Sequence, residues 1–139
     1  MNEIVIYYSL LGHNKEIAEN ISREKNCDLI EFAPGNLLRC FQFFLRHKKL
    51  KKQAKKLNIS KYNDIIICGP IWAGKPAAAI KILMETLDLN NKSIKTYFTF
   101  TQDYGETEKF VQNLMEKKGA NLLEIQFKNI SKKVNEKEI

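Results

Sequence analysis

The sequence predicts a doubly wound α/β domain, in which a parallel sheet carries helices on both sides. Three observations predict it: short apolar segments alternate with helical patterns throughout, the first and third segments are nearly continuous apolar runs, and five of six glycines follow apolar segments. With 139 residues and 44% hydrophobic content, one core suffices, and residues 1–139 read as one domain.

Each element has its own justification. "EIVIYY" (3–8), "CDLIEF" (27–32), "DIIICG" (64–69), "SIKTYFTF" (93–100) and "NLLEIQF" (121–127) are short, apolar and rich in Ile, Val or aromatics, as strands are. Helical patterns lie between them at 14–25, roughly 36–57, 76–88 and 106–119. In the second of these, apolar residues at 37, 38, 41, 44, 45, 50, 54 and 57 keep helical spacing with a gap over Arg46 to Lys49. One long helix or two broken there would both fit. Pro76 is expected to open the third helix, and Gly119 to stop the fourth. After 127 only the polar "KNISKKVNEKEI" (128–139) remains, too weakly patterned for a long final helix.

Net charge is +7, and its source is local. "RHKKLKKQAKK" (46–56) holds seven Lys and Arg and no acid, so the remainder balances at sixteen against sixteen. A single basic segment is a poor footprint for nucleic acid, which usually meets charge spread over several elements. It reads first as a solvated helix face, and functionally as a dock for an acidic redox partner, for nucleic acid or for anionic lipid. Phe41, Phe43 and Phe44 exceed one buried stripe, which suggests a covered rim or a dimer contact. Cys27, Cys40 and Cys68 show no CxxC pair and no metal spacing, so reduced, packed thiols are expected. No apolar run of about eighteen residues occurs, and neither does a leader pattern. A cytoplasmic protein is the expectation.

Ligands of open α/β sheets bind beyond the carboxyl ends of the strands, so the loops after the first, third and fourth strands matter most. In "SLLGHN" (9–14), a small polar residue, a glycine and a capping Asn14 would aim backbone N–H groups at an anion, or simply turn the chain. In "GPIWAGKP" (69–76), a lone tryptophan lies between two glycines, either as a packing anchor or as a flat face for an aromatic ligand. Neither GxGxxG nor GxxxxGK[ST] is present, which argues against nucleotide binding by those devices.

Together, "YYSLLGHNKEIAENI" and "DIIICGPIWAGKPAAAI" resemble the flavodoxin-like FMN proteins over residues 3 to about 127, with "TFTQDYGETEKF" in the remaining loop position. The resemblance implies a five-stranded parallel sheet of order 2-1-3-4-5, a shortened or absent C-terminal helix, and FMN as cofactor. It puts Ser9, Leu11, Gly12, His13 and Asn14 around the phosphate. Pro70, Ile71, Trp72, Ala73 and Gly74 would line the isoalloxazine, and Thr101, Gln102, Asp103, Tyr104 and Gly105 would close its other side. Gly74 would present a backbone hydrogen bond to flavin N5. Two departures stand out: Leu11 replaces the usual Thr or Ser, and Asn14 the frequent Thr, so two hydroxyl donors are missing.

Three functions stay open: electron transfer through bound flavin, NAD(P)H-dependent reduction of a quinone or similar acceptor, and a cofactor-free basic interaction module. A phospho-receiver is excluded because strand 1 ends "YYS" and strand 3 ends "CGP", without the acidic residues that chemistry needs.

Overall fold

Among the described residues, six strands and four helices follow in the order β1 (Glu3–Tyr7), α1 (His13–Lys25), β2 (Asp28–Glu31), α2 (Phe43–Lys55), β3 (Asp64–Trp72), β4 (Lys75–Pro76), α3 (Ala78–Thr86), β5 (Ser93–Phe100), α4 (Thr107–Lys118) and β6 (Asn121–Asn129). The computed structural model describes residues 2–32 and 43–131. Arg39 to Phe41, and with them Cys40, lie outside that range, as does Gly35.

Five strands form one parallel sheet in the order β2-β1-β3-β5-β6. Leaving aside the two-residue β4, this is the expected 2-1-3-4-5. The chain moves one way from β1 to β2 and the other way to β3, so the switch point lies between β1 and β3.

Two sequence expectations need correction, and one open alternative is decided. The third strand does not stop at Gly69 but runs on to Trp72, and β4 pairs with it antiparallel through Ile71 opposite Pro76 and Trp72 opposite Lys75. Gly-Pro reads as a terminator, yet β1 ends at Tyr7 opposite Cys68, so no parallel neighbour on that flank needs the N–H that Pro70 lacks, and the Pro70 carbonyl still accepts from Ala77 N–H at 2.9 Å. Pro76 therefore belongs to β4, and Ala77 precedes the first turn of α3. The second helix is continuous from Phe43 to Lys55, with no break over Arg46 to Lys49.

The sheet's two faces differ. One carries the main core, where Ile4, Ile6, Ile65, Ile67, Ile94 and Phe98 meet Leu50 of α2, Ile80 and Leu83 of α3, and Val111 of α4. The other carries a small cluster of Val5, Tyr7, Ile66 and Cys68 under Ala18 of α1. Register extends that second face to Lys95 and Tyr97 of β5, then to Glu124 and Gln126 of β6. None of these four is fully buried. The part of the sheet beyond α1 is thus written in polar and amphipathic residues, and the chain after Ser131, where a terminal helix would fall, lies outside the described residues.

Candidate functional site

At the carboxyl edge of the sheet, β1, β3 and β5 are adjacent, so the loops that follow them meet. The first loop is short. Gly12, at φ 93°, precedes α1 as its N-cap residue, and its N–H donates to Ser9 Oγ at 3.0 Å. Glu16 N–H then donates to the Gly12 carbonyl to start the helix. Asn14 is therefore not the cap but a first-turn residue, only 3% exposed. Its Nδ2 donates to Thr99 Oγ1 at 2.9 Å, which ties α1 to the end of β5, while its Oδ1 has no partner.

The second loop is a two-residue hairpin turn. Ala73 at φ 54° and Gly74 at φ 76° both take the left-handed conformation that such turns require. Trp72 is 44% exposed at its start, with its ring edge-on to Tyr8 at 6.1 Å.

The third loop is pinned to the second. The Gly74 carbonyl accepts from Glu106 N–H and from Thr107 Oγ1, each at 3.1 Å. Gly105, at φ 51°, passes so close that a Cβ there would lie 2.6 Å from Gly74 Cα. Only glycine satisfies both the conformation and the approach. The expected bond from the Gly74 peptide to a flavin thus meets a carbonyl already committed within the protein.

Two cavities result. A cleft of about 460 Å³ runs between the second and third loops, with Ile71, Trp72, Ala73 and Gly74 on one side and Thr101, Gln102, Asp103 and Gly105 on the other. That volume lies in the usual range for small-molecule sites. A second cavity of about 90 Å³ adjoins the first loop and is lined by Ser9, Leu11, His13 and Asn14, with Pro70, Ile71, Trp72 and Thr101 also contributing. Tyr104 lines neither: its ring stacks on Phe127 at 4.0 Å and meets Phe100 edge-on at 5.4 Å. Gly12 also stays off the cavity walls and acts through the backbone.

Sequence reasoning missed several wall residues. Thr99, Phe100 and Ile130 line the smaller cavity, and Lys75 and Glu106 the larger. Thr99 sat inside a predicted strand, where its polar side chain was the one available signal.

Comparison of the coordinates with solved structures decides the architecture. A flavoprotein of Lactobacillus acidophilus solved in complex with FMN superposes with a TM-score of 0.69 at 19% identity, covering 99% of each chain. The fold is flavodoxin-like. An archaeal flavodoxin aligns with a TM-score of 0.57 at 17% identity, over 99% of this chain and 90% of its own. Megasphaera elsdenii flavodoxin, in its two-electron reduced form, aligns at 0.64 and 15% identity, over 91% and 85%. No family model matches the sequence, and no curated protein does. Within this flavodoxin-like scaffold the described residues hold no cluster of His, Cys, Asp or Glu able to bind a metal. They also include no helix long and apolar enough to cross a membrane.

Proposed function

We propose that the protein binds FMN at the three loops and acts in electron transfer through it. The observation that carries the reading is the cleft between two clamped glycine loops at the sheet's carboxyl edge, one strand over from the switch point, with the exposed Trp72 in its wall. The residues present fit such a group. Ile71, Trp72 and Ala73 offer apolar and aromatic surface to a flat ring, and Thr101 and Gln102 offer polar groups to its edge. Ser9, His13 and the amides at the start of α1 are at hand for the side chain. Bound there, the flavin would supply one- and two-electron chemistry, while the protein fixes its position and electrostatics.

The local field differs from the global one. Asp103 and Glu106 border the cleft with Lys75 as the cationic neighbour, so two carboxylates stand beside the ring of a protein whose net charge is +7. Negative charge there disfavours an anionic reduced ring and favours a low potential. Exposed charges more than about 8 Å from the ring are largely screened in physiological salt.

Leu10, Leu11 and Trp72 are 48%, 79% and 44% exposed around the site and form an apolar rim for a partner. Lys48, Lys49, Lys51, Lys52, Lys55 and Lys56 are exposed on and just beyond α2, with no ion pair among the described residues. They suit an acidic redox partner. Because they cluster on one helix, nucleic acid is the weaker match. Reduced Cys27 and Cys68 accord with a cytoplasmic carrier.

The test is the visible absorption spectrum of the pure protein, before and after adding FMN and removing the excess. Oxidised-flavin bands support the reading. A spectrum blank through both steps overturns it.

A further inference from the structure

A third cavity, of about 550 Å³ and larger than the flavin cleft, lies at the opposite, amino edge of the sheet on the α1 side. Glu3, Asp64 and Ser93, the first residues of β1, β3 and β5, stand in one row of register along it. Lys95 stands one row higher on the same face, and Lys25 reaches it from the last turn of α1. Ile66 and Leu123 add apolar wall.

The charges of this cavity are only half matched. Lys25 Nζ pairs with Glu3 Oε2 at 3.6 Å, the one ion pair among the described residues. Lys95 brings a second ammonium beside that of Lys25, with no second carboxylate at ion-pair distance. Asp64 has no ion pair, and neither its carboxylate nor the Ser93 hydroxyl hydrogen-bonds to another described residue. Like charges side by side repel, and an anion placed between them relieves the repulsion. A bare anion would also meet Asp64, however, and a bare cation would meet two lysines. Asp64 and Lys95 are diagonal neighbours on adjacent strands, roughly 8 Å apart at the backbone from strand spacing and rise. One small molecule carrying both charges can reach both.

We infer that this cavity binds a zwitterion, a free α-amino acid with a small apolar side chain. Its carboxylate lies between Lys95 and Lys25, its ammonium donates to Asp64 and Ser93, and its side chain rests on Ile66 and Leu123. The nine residues of β3 run from this cavity to Trp72 in the flavin cleft, roughly 26 Å, so the two sites are tested independently.

The experiment titrates isotope-labelled full-length protein with leucine and follows backbone amide shifts by NMR. Saturable shifts at Asp64, Ser93, Lys95 and the end of α1 are expected. Two half-ligands read the need for both charges: isocaproate lacks the ammonium and isoamylamine the carboxylate, and each should bind at least about tenfold more weakly. Lys95→Met and Asp64→Asn each remove one partner and should weaken leucine by about tenfold as well. Neither substitution breaks an ion pair of the fold, so the urea midpoint serves as the check on folding. Either half-ligand binding as tightly as leucine overturns the inference. So does an unchanged affinity in either variant, or a leucine titration without saturable shifts at this edge. Each of these outcomes leaves the flavin reading standing.

Discussion

One methyl group measures how closely the two glycine loops fit. A Cβ on Gly105 would lie 2.7 Å from the Gly74 carbonyl oxygen, on a backbone at φ 51°, so clash and conformation add. Gly105→Ala should lose roughly 1–3 kcal/mol of stability by urea unfolding, together with flavin affinity. Gly12→Ala meets nothing within 4 Å and should lose only about 1 kcal/mol, from its φ of 93°. Cys68 offers a different test. Burial pushes its thiol up to about 12. The unfolded chain, ionising near 8.5, then releases a proton that the folded chain keeps, so this group's contribution is whole below that pH and is lost as pH rises toward 12. Alkaline unfolding curves of wild type and Cys68→Ala should converge as pH climbs. Sequence identified Gly74 and Gly105 as loop glycines but not as each other's neighbours. Thirty-one positions separate them, and their contact is made only when β3 and β5 lie side by side.

At the scale of elements, α2 separates burial from charge most clearly. Leu50 and Ala54 are buried, at 2% and 0% exposure, while the lysines around them are exposed. Neutralising Lys51, Lys52, Lys55 and Lys56 to Gln should leave the urea midpoint nearly unchanged and the flavin potential little shifted, yet weaken docking to an acidic partner. A large potential change would mean that these charges reach the ring. Leu50→Ala should instead destabilise by about 2–5 kcal/mol. Periodicity predicted helix here, but the gap over Arg46 to Lys49 left its continuity open. The end of β3 was less legible. Whether Gly-Pro ends a strand depends on whether a neighbour needs the missing N–H, and the early end of β1 is a tertiary fact.

Over the whole molecule, among the described residues, the sheet is covered by α2, α3 and α4 on one face and by α1 on the other, and its residues are chosen accordingly. Ile94, Thr96 and Phe98 face the large core, while Lys95 and Tyr97, between them, face the open side. The alternation was visible in "SIKTYFTF", but it showed which side was polar only once the strand's neighbours were known. Stability should couple to ligand across this whole unit. At FMN a hundred times its dissociation constant, unfolding should cost about 2.7 kcal/mol more, read as a concentration-dependent thermal midpoint. A midpoint indifferent to FMN would count against binding.

The clamp on the Gly74 carbonyl also has a kinetic meaning. Glu106 and Thr107 hold it from the first turn of α4, so the two walls of the cleft are fastened at their base and cannot swing apart independently. A ligand then reaches a gap of set width instead of waiting for a lid. In stopped-flow mixing, the observed association rate should climb linearly with flavin concentration, without the plateau that a slow opening step imposes.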